Sequence, residues 1–177
     1  NGVSDPLANA TYFTCIKCEA GTESSTPLSQ GSCMACVSGK YSEAGGVCLE
    51  CAAGKYSEEV GATNASVCKN CPIGSYNFLS GETACEVCPS GSKCHVEGMD
   101  DYEECGLGEF QSRPQQSSCI RCPTGSYNGN KGYAVCTLCE AGKYNPNSGS
   151  VNATDCVACA AGKFSNQNGT AQCMPCP

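Results

Sequence analysis

Apolar and polar positions along this chain repeat in step with cysteine. Seven segments share Cys-x-x-Gly-x-aromatic: Cys36-Val-Ser-Gly39-Lys-Tyr41, Cys51-Ala-Ala-Gly54-Lys-Tyr56, Cys71-Pro-Ile-Gly74-Ser-Tyr76, Cys105-Gly-Leu-Gly108-Glu-Phe110, Cys122-Pro-Thr-Gly125-Ser-Tyr127, Cys139-Glu-Ala-Gly142-Lys-Tyr144 and Cys159-Ala-Ala-Gly162-Lys-Phe164. The glycine suits a tight turn with positive φ, which other residues resist. Proline after the cysteine, as at Pro72 and Pro123, is expected to pre-set φ for that turn. The aromatic two residues on is expected to begin a short strand and to cover the disulfide, replacing a core the unit is too small to build. A second glycine (Gly81, Gly132 or Gly169) lies four residues before the next cysteine pair and marks the reversal of a hairpin whose return strand ends on that cysteine. The pattern predicts two-stranded hairpins in series and almost no helix.

The hairpins recur from end to end. Eighteen of the 20 cysteines form nine Cys-x-x-Cys pairs, with first members Cys15, Cys33, Cys48, Cys68, Cys85, Cys119, Cys136, Cys156 and Cys173. Their steps are 18, 15, 20, 17, 34, 17, 20 and 17 residues, the 34 being two steps of 17 with one pair degraded between them. Such a period signifies one small unit repeated about ten times, an elongated rod rather than one globular core. In the two 20-residue steps the second glycine moves to seven residues ahead, at Gly61 and Gly149. The extra residues there carry the sequons Asn64-Ala-Ser66 and Asn152-Ala-Thr154, at a common offset of 88 residues. With Asn9 and Asn168 the chain has four Asn-x-Ser/Thr sequons, which makes N-linked glycans on exposed hairpin edges the expectation.

Composition explains why cysteine must hold the chain. Leu, Ile, Val and Phe number only 23 of 177 residues, and there is no Trp. A chain below about 20% in those residues stays unfolded unless something else holds it. Cysteine at this density signals disulfides and an oxidising, extracellular compartment. A net charge of −7 argues against nucleic acid and anionic membranes as partners. No stretch approaches the roughly 18 apolar residues of a membrane span, so no direct membrane insertion is expected. The chain begins at Asn1 without a secretory signal, as expected of a mature chain or an excised segment. The competing reading of paired Cys-x-x-Cys is zinc. Nine pairs do not divide into sets of two, and Cys94 and Cys105 are left over.

A hairpin closed at its base joins the second cysteine of one pair to the first of the next. That predicts Cys18–Cys33, Cys36–Cys48, Cys51–Cys68, Cys71–Cys85, Cys105–Cys119, Cys122–Cys136, Cys139–Cys156 and Cys159–Cys173. Each loop of about 15 residues would remove roughly 3 kcal/mol of unfolded-state freedom, against about 2 kcal/mol for bonding inside a Cys-x-x-Cys. An interlaced scheme, first to third and second to fourth, fits the same spacing, and sequence does not choose between them. Cys15 and Cys176 are left without partners, at opposite ends. They await either further repeats or each other in successive copies, a head-to-tail contact that would build a filament.

The midpoint departs from the pattern. Cys88-Pro-Ser-Gly91-Ser-Lys93 lacks its aromatic and is followed at once by Cys94, while Tyr102 stands where a first cysteine belongs. Cys88–Cys94 is the simplest repair. The chain thus divides into an N-terminal segment (1–14), a first array (15–93), an irregular midpoint (94–104) and a second array (105–177). The midpoint is either a decayed repeat or a bend or contact site. His95 is the only histidine and has no catalytic motif around it. A thioredoxin-like role lacks its βαβ pattern. Asp100, Asp101, Glu103 and Glu104 lack the spaced loop that calcium needs and are expected as a solvated loop. No enzyme activity, cofactor or metal is expected.

These motifs resemble the ephrin-receptor-like cysteine-rich repeat of the growth-factor-receptor cysteine-rich superfamily: Cys-x-x-Cys-Pro-x-Gly-x-Tyr, about ten residues, then Cys-x-x-Cys. The match covers residues 15–177. The single-loop unit is also similar to the first half of a tumour-necrosis-factor-receptor cysteine-rich domain, which supports the Cys18–Cys33 type of pairing. Ciliate surface antigens are similar in their periodic Cys-x-x-Cys, with comparable Ala-Gly-Lys-Tyr and Asn-Ala-Ser/Thr segments. The resemblance implies an extracellular rod of small β-hairpins and names no ligand, since such repeats serve receptors, coats and fibres alike. The expectation is a small, disulfide-rich structural surface glycoprotein, part of a coat, fibre or flagellar or ciliary appendage, associating with itself or other surface proteins. The alternative is a ligand-binding ectodomain segment of a receptor or lipid-anchored antigen.

Overall fold

A positive-φ glycine forces the chain to turn at the base of each repeat, and the computed structural model, which describes residues 17–24 and 32–177, shows the result nine times. The antiparallel hairpins are β1 (Thr22–Ser24) with β2 (Cys33–Ala35), β3 (Lys40–Tyr41) with β4 (Leu49–Glu50), β5 (Lys55–Tyr56) with β6 (Lys69–Asn70), β7 (Ser75–Tyr76) with β8 (Glu86–Val87) and β9 (Ser92–Lys93) with β10 (Glu103–Glu104). They continue as β11 (Glu109–Phe110) with β12 (Ile120–Arg121), β13 (Ser126–Tyr127) with β14 (Thr137–Leu138), β15 (Lys143–Tyr144) with β16 (Val157–Ala158) and β17 (Lys163–Phe164) with β18 (Met174–Pro175). Each aromatic pairs across its hairpin with the residue after the first cysteine, as Tyr41 with Leu49 and Phe110 with Ile120. Asn9, Cys15 and the 1–14 segment lie outside the described residues.

Eight disulfides close hairpins: Cys18–Cys33, Cys36–Cys48, Cys51–Cys68, Cys71–Cys85, Cys105–Cys119, Cys122–Cys136, Cys139–Cys156 and Cys159–Cys173. These are the pairs that hairpin closure requires, not the interlaced ones, and a ninth, Cys88–Cys94, spans β9 without tying it to β10. At the base of each hairpin the next repeat's cysteine N–H bonds the turn glycine carbonyl, as from Cys51 to Gly39 and from Cys122 to Gly108, both at 2.8 Å. This brings the two disulfide half-positions together across the hairpin.

Two local expectations need correction. The aromatic does not begin its strand; it ends a two-residue strand that starts one position earlier. Proline stands at the first corner of the turn, where Pro72 and Pro123 offer carbonyls to the N–H groups of Ser75 and, through their hydroxyls, Ser75 and Ser126. Its fixed φ therefore falls outside the two central turn positions.

Strands of two residues hold little by themselves. The order comes from contacts between hairpins. The turn glycine donates its N–H to the carbonyl of the residue following the aromatic in the next hairpin: Gly39 to Ser57 (2.8 Å), Gly54 to Asn77 (2.9 Å), Gly125 to Asn145 (2.7 Å). That residue sends its own N–H onward, from Ser57 to Glu82, Asn77 to Met99 and Asn145 to Thr170, each 3.1 Å. The second glycine donates back to the cysteine that opens the preceding hairpin, as Gly81 to Cys51, Gly98 to Cys71 and Gly169 to Cys139, all at 2.8 Å. Inner hairpins are thus bonded to their neighbours, and the turn glycine of one packs against the second glycine's carbonyl of the next but one, as Gly39 against Gly81 and Gly108 against Gly149. Its accessible surface of 11333 Å² exceeds the roughly 8,100 Å² of a globular monomer of this mass, as an elongated chain requires.

The interior is a column of cysteines and small polar groups. Apart from Ala62, the buried apolar residues among those described are all cysteines. Between them lie Ser42, Ser57, Asn77, Gln111, Asn128, Asn145 and Ser165, at the position after the aromatic in seven hairpins. Asn145 is fully buried and spans the interface, its Nδ2 donating to Ser126 O (3.1 Å) and its Oδ1 accepting from Asn147 N–H (3.0 Å). The aromatics are only half-buried, so they flank this column rather than form a core.

At the sixth hairpin Gln115 takes the second-glycine position with φ 62°, alone among described non-glycine residues. A left-handed backbone costs glutamine about 1–2 kcal/mol, partly offset in a Gln115→Gly variant by the extra freedom of unfolded glycine. Gln115→Gly should raise stability by about 0.5–1 kcal/mol in denaturant unfolding with disulfides intact. An unchanged or lower midpoint would mean the Gln115 side chain repays its backbone strain.

Candidate interaction surfaces

The two three-residue insertions fold into single turns of 3-10 helix, Ala65–Val67 and Ala153–Asp155, on the outer ends of the third and eighth hairpins. Asn64 starts the first: its Oδ1 accepts the Ser66 N–H (3.0 Å) and also the Ser66 hydroxyl. Asn152 starts the second, where the Asp155 carboxylate receives the N–H groups of Asn152 (3.0 Å) and Val151 (3.2 Å). Both asparagines are exposed, each on a protrusion that adds nothing to the interior. Asn168 is different: its Oδ1 accepts the Ala141 N–H at 2.9 Å, tying the ninth hairpin to the eighth. Thr170 of the same sequon bonds Ser165 Oγ and the Gln167 carbonyl.

At the midpoint the repeat is rebuilt. Cys94 occupies the position that Ser, Asn or Gln fills elsewhere, fully buried, its carbonyl accepting from Gly74 N–H and its N–H donating to Gln116 O, both at 2.9 Å. The relay therefore runs through residues 94–104 without a gap. Tyr102, in the vacated cysteine position, sets its ring edge-on against Tyr76, with centroids 5.3 Å apart at 79°. Gly98 lies four residues before Tyr102 and makes the same backward bond as the other second glycines. Glu103 faces Lys93 (3.3 Å) and His95 (3.6 Å) at the surface, pairs worth at most about 1 kcal/mol. Among the described residues no group of three or more His, Cys, Asp and Glu could hold a metal, and no helix is long and apolar enough to cross a membrane.

The Tyr76 hydroxyl donates to Glu86 at 2.9 Å. Burial, that hydrogen bond and the Glu86 charge push the Tyr76 phenol up to about 12. The neutral phenol is the favoured form, so Glu86→Gln should let it ionise at lower pH. Phenolate absorbance after a rapid alkaline jump reads the change; an unmoved high-pH phase would mean that burial alone sets it.

At the eighth and ninth hairpins the turn glycine lacks a next-but-one hairpin over it, although Gly142 still donates its N–H to Ser165 O at 2.8 Å. Gly142 and Gly162 are exposed, whereas Gly39, Gly54, Gly91, Gly108 and Gly125 are buried. Gly142 and Gly162 have nothing within 4 Å of where a Cβ would stand. Cys176 bonds Gly162 O through its N–H, and its thiol is free and exposed. Sequence reasoning missed the buried polar column; its signal was the recurrence of Ser, Asn or Gln after each aromatic. Compared with known proteins, the chain matches no family model and no curated sequence.

Proposed function

We propose that this chain is an extracellular structural surface glycoprotein, a rod-shaped building block of a coat, fibre or flagellar or ciliary appendage that associates head to tail. The observation that carries this reading is the backbone relay from hairpin to hairpin. It depends on main-chain groups and recurring glycines, so outward side chains vary freely while the rod stays regular. Gly142 and Gly162 keep the left-handed turn of the inner glycines, so a further hairpin, of this chain or of a second copy, can stack on them in the same way. The disulfide density suits an oxidising compartment. N-linked glycans belong on the Asn64 and Asn152 protrusions, where they leave the relay untouched.

Electron microscopy of natively purified, unreduced protein, beside a non-reducing gel, tests the assembly. Filaments with an axial repeat of one chain length are expected, with Cys176→Ser abolishing any covalent ladder. Thin rods that stay single at high concentration would overturn the assembly reading. Glycopeptide mapping should find sugar at Asn64 and Asn152; bare peptides at both would remove the glycoprotein part. A second reading, a ligand-binding ectodomain, is favoured by the departures from the repeat at the fourth and fifth hairpins.

A further inference from the structure

The repeat serves as its own control for what a hairpin needs. After the buried polar residue, six hairpins carry Glu43-Ala44, Glu58-Glu59, Ser112-Arg113, Gly129-Asn130, Pro146-Asn147 and Asn166-Gln167, and the fifth carries His95-Val96. The fourth alone has Phe78-Leu79. Phe78 is 69% exposed and Leu79 59%, so neither contributes to the interior. One hairpin on, Tyr102 replaces the cysteine that closes every other unit, and the displaced disulfide moves to Cys94. Neither departure is needed to fold a hairpin, and the two converge.

They border one open groove of about 480 Å³, a volume within the usual range of ligand sites. Phe78, Leu79 and the Tyr76–Tyr102 pair supply its apolar walls. Glu82, Glu86 and Asp101 supply its charge, and no Lys, Arg or His lines it. The Tyr76 hydroxyl holds Glu86 in place. An apolar wall beside three carboxylates complements a side chain that is itself half apolar and half cationic, or such a pair of neighbours.

We propose that this groove docks a short segment of a partner protein in which a lysine or arginine stands beside an apolar side chain. The apolar group packs on Phe78 and Leu79. The cation lies among Glu82, Glu86 and Asp101, with added attraction from the tyrosine rings. The groove lies on the flank of the rod and goes beyond the assembly reading: a rod that never forms filaments still carries it, and a filament without peptide binding leaves that reading standing.

The test uses the intact oxidised protein, ¹⁵N-labelled, titrated with the capped peptide Lys-Phe-Arg-Leu and with the charge-reversed Glu-Phe-Asp-Leu. Saturable shifts confined to amides around 76–86 and 99–104 are expected with the cationic peptide only. The exposed double variant F78S/L79S should weaken binding about tenfold or more, and E82Q/D101N several-fold, with the rest of each spectrum unchanged. Shifts that fail to saturate, an equal response to the charge-reversed peptide, or unweakened binding by F78S/L79S would each overturn the proposal. So would groove amides that move when the protein alone is diluted, which would make this surface a contact between copies of the chain.

Discussion

Gly108→Ala should destabilise this protein by about 1–3 kcal/mol more than Gly142→Ala. The two glycines share one place in the repeat and nearly one conformation, with φ of 72° and 83°. Both variants therefore bear the left-handed backbone cost of roughly 1–2 kcal/mol. They differ in surroundings. A Cβ on Gly108 would fall on the carbonyl oxygen of Gly149, two hairpins away, and lie 3.2 Å from Val151 Cγ1. A Cβ on Gly142 meets nothing within 4 Å. Backbone cannot swing aside as a side chain can, so Gly108→Ala must part the sixth and eighth hairpins, an overpacking penalty of about 1–3 kcal/mol. Native-state hydrogen exchange reads this locally. The Gly149 N–H, which bonds Cys122 O at 2.7 Å, should lose protection in Gly108→Ala and keep it in Gly142→Ala. Equal costs in the two variants would show that turn conformation alone, not next-but-one stacking, demands the glycine.

Replacing both members of the Cys105–Cys119 disulfide with alanine should cost about 3 kcal/mol, and replacing Cys88–Cys94 about 2 kcal/mol, from the loops of 14 and 6 residues that they close. Alanine keeps an apolar side chain at the buried Cys88, Cys94 and Cys105 sites and strands no hydroxyl there. Because hairpins bond only to near neighbours, the damage should stay local. Exchange should rise in the fifth to eighth hairpins for the Cys105–Cys119 variant and leave the third unchanged. Loss of protection along the whole chain would mean that the rod unfolds as one cooperative unit, and the picture of additive repeats would fail.

Much of this architecture was legible because cysteine and glycine act over short range. The distance from Cys36 to Cys48, or from Cys71 to Cys85, sets a loop that one hairpin can close, and Gly39 or Gly74 can take a conformation that its neighbours cannot. The common three-residue insertions before Cys68 and Cys156 stood out as a repeated excess of the same length, and both fold as the same 3-10 turn. The buried column was harder to see. Asn77 and Asn145 read as ordinary loop asparagines, since polar residues after a strand end normally face water. Only stacking reveals that they lie inside, with side-chain amides on carbonyls of the preceding hairpins at Lys55 and Ser126.

The groove was legible only in fragments. Tyr102 stood out as a missing cysteine, but Phe78 and Leu79 gained meaning once the fourth and fifth hairpins were seen side by side, with Glu82, Glu86 and Asp101 facing the same space. By itself, the sequence determined the hairpin, its disulfide-compatible spacing and its repetition, because these follow from loop length and from φ angles within some 20 residues. The tertiary structure decided that alternate hairpins stack through Gly108 and Gly149 or Gly91 and Gly132, and that polar rather than aromatic side chains fill the interior. Those outcomes rest on main-chain hydrogen bonds and close backbone approaches between segments some 20 to 40 residues apart, whose groups are the same at nearly every residue and therefore leave no trace in side-chain identity.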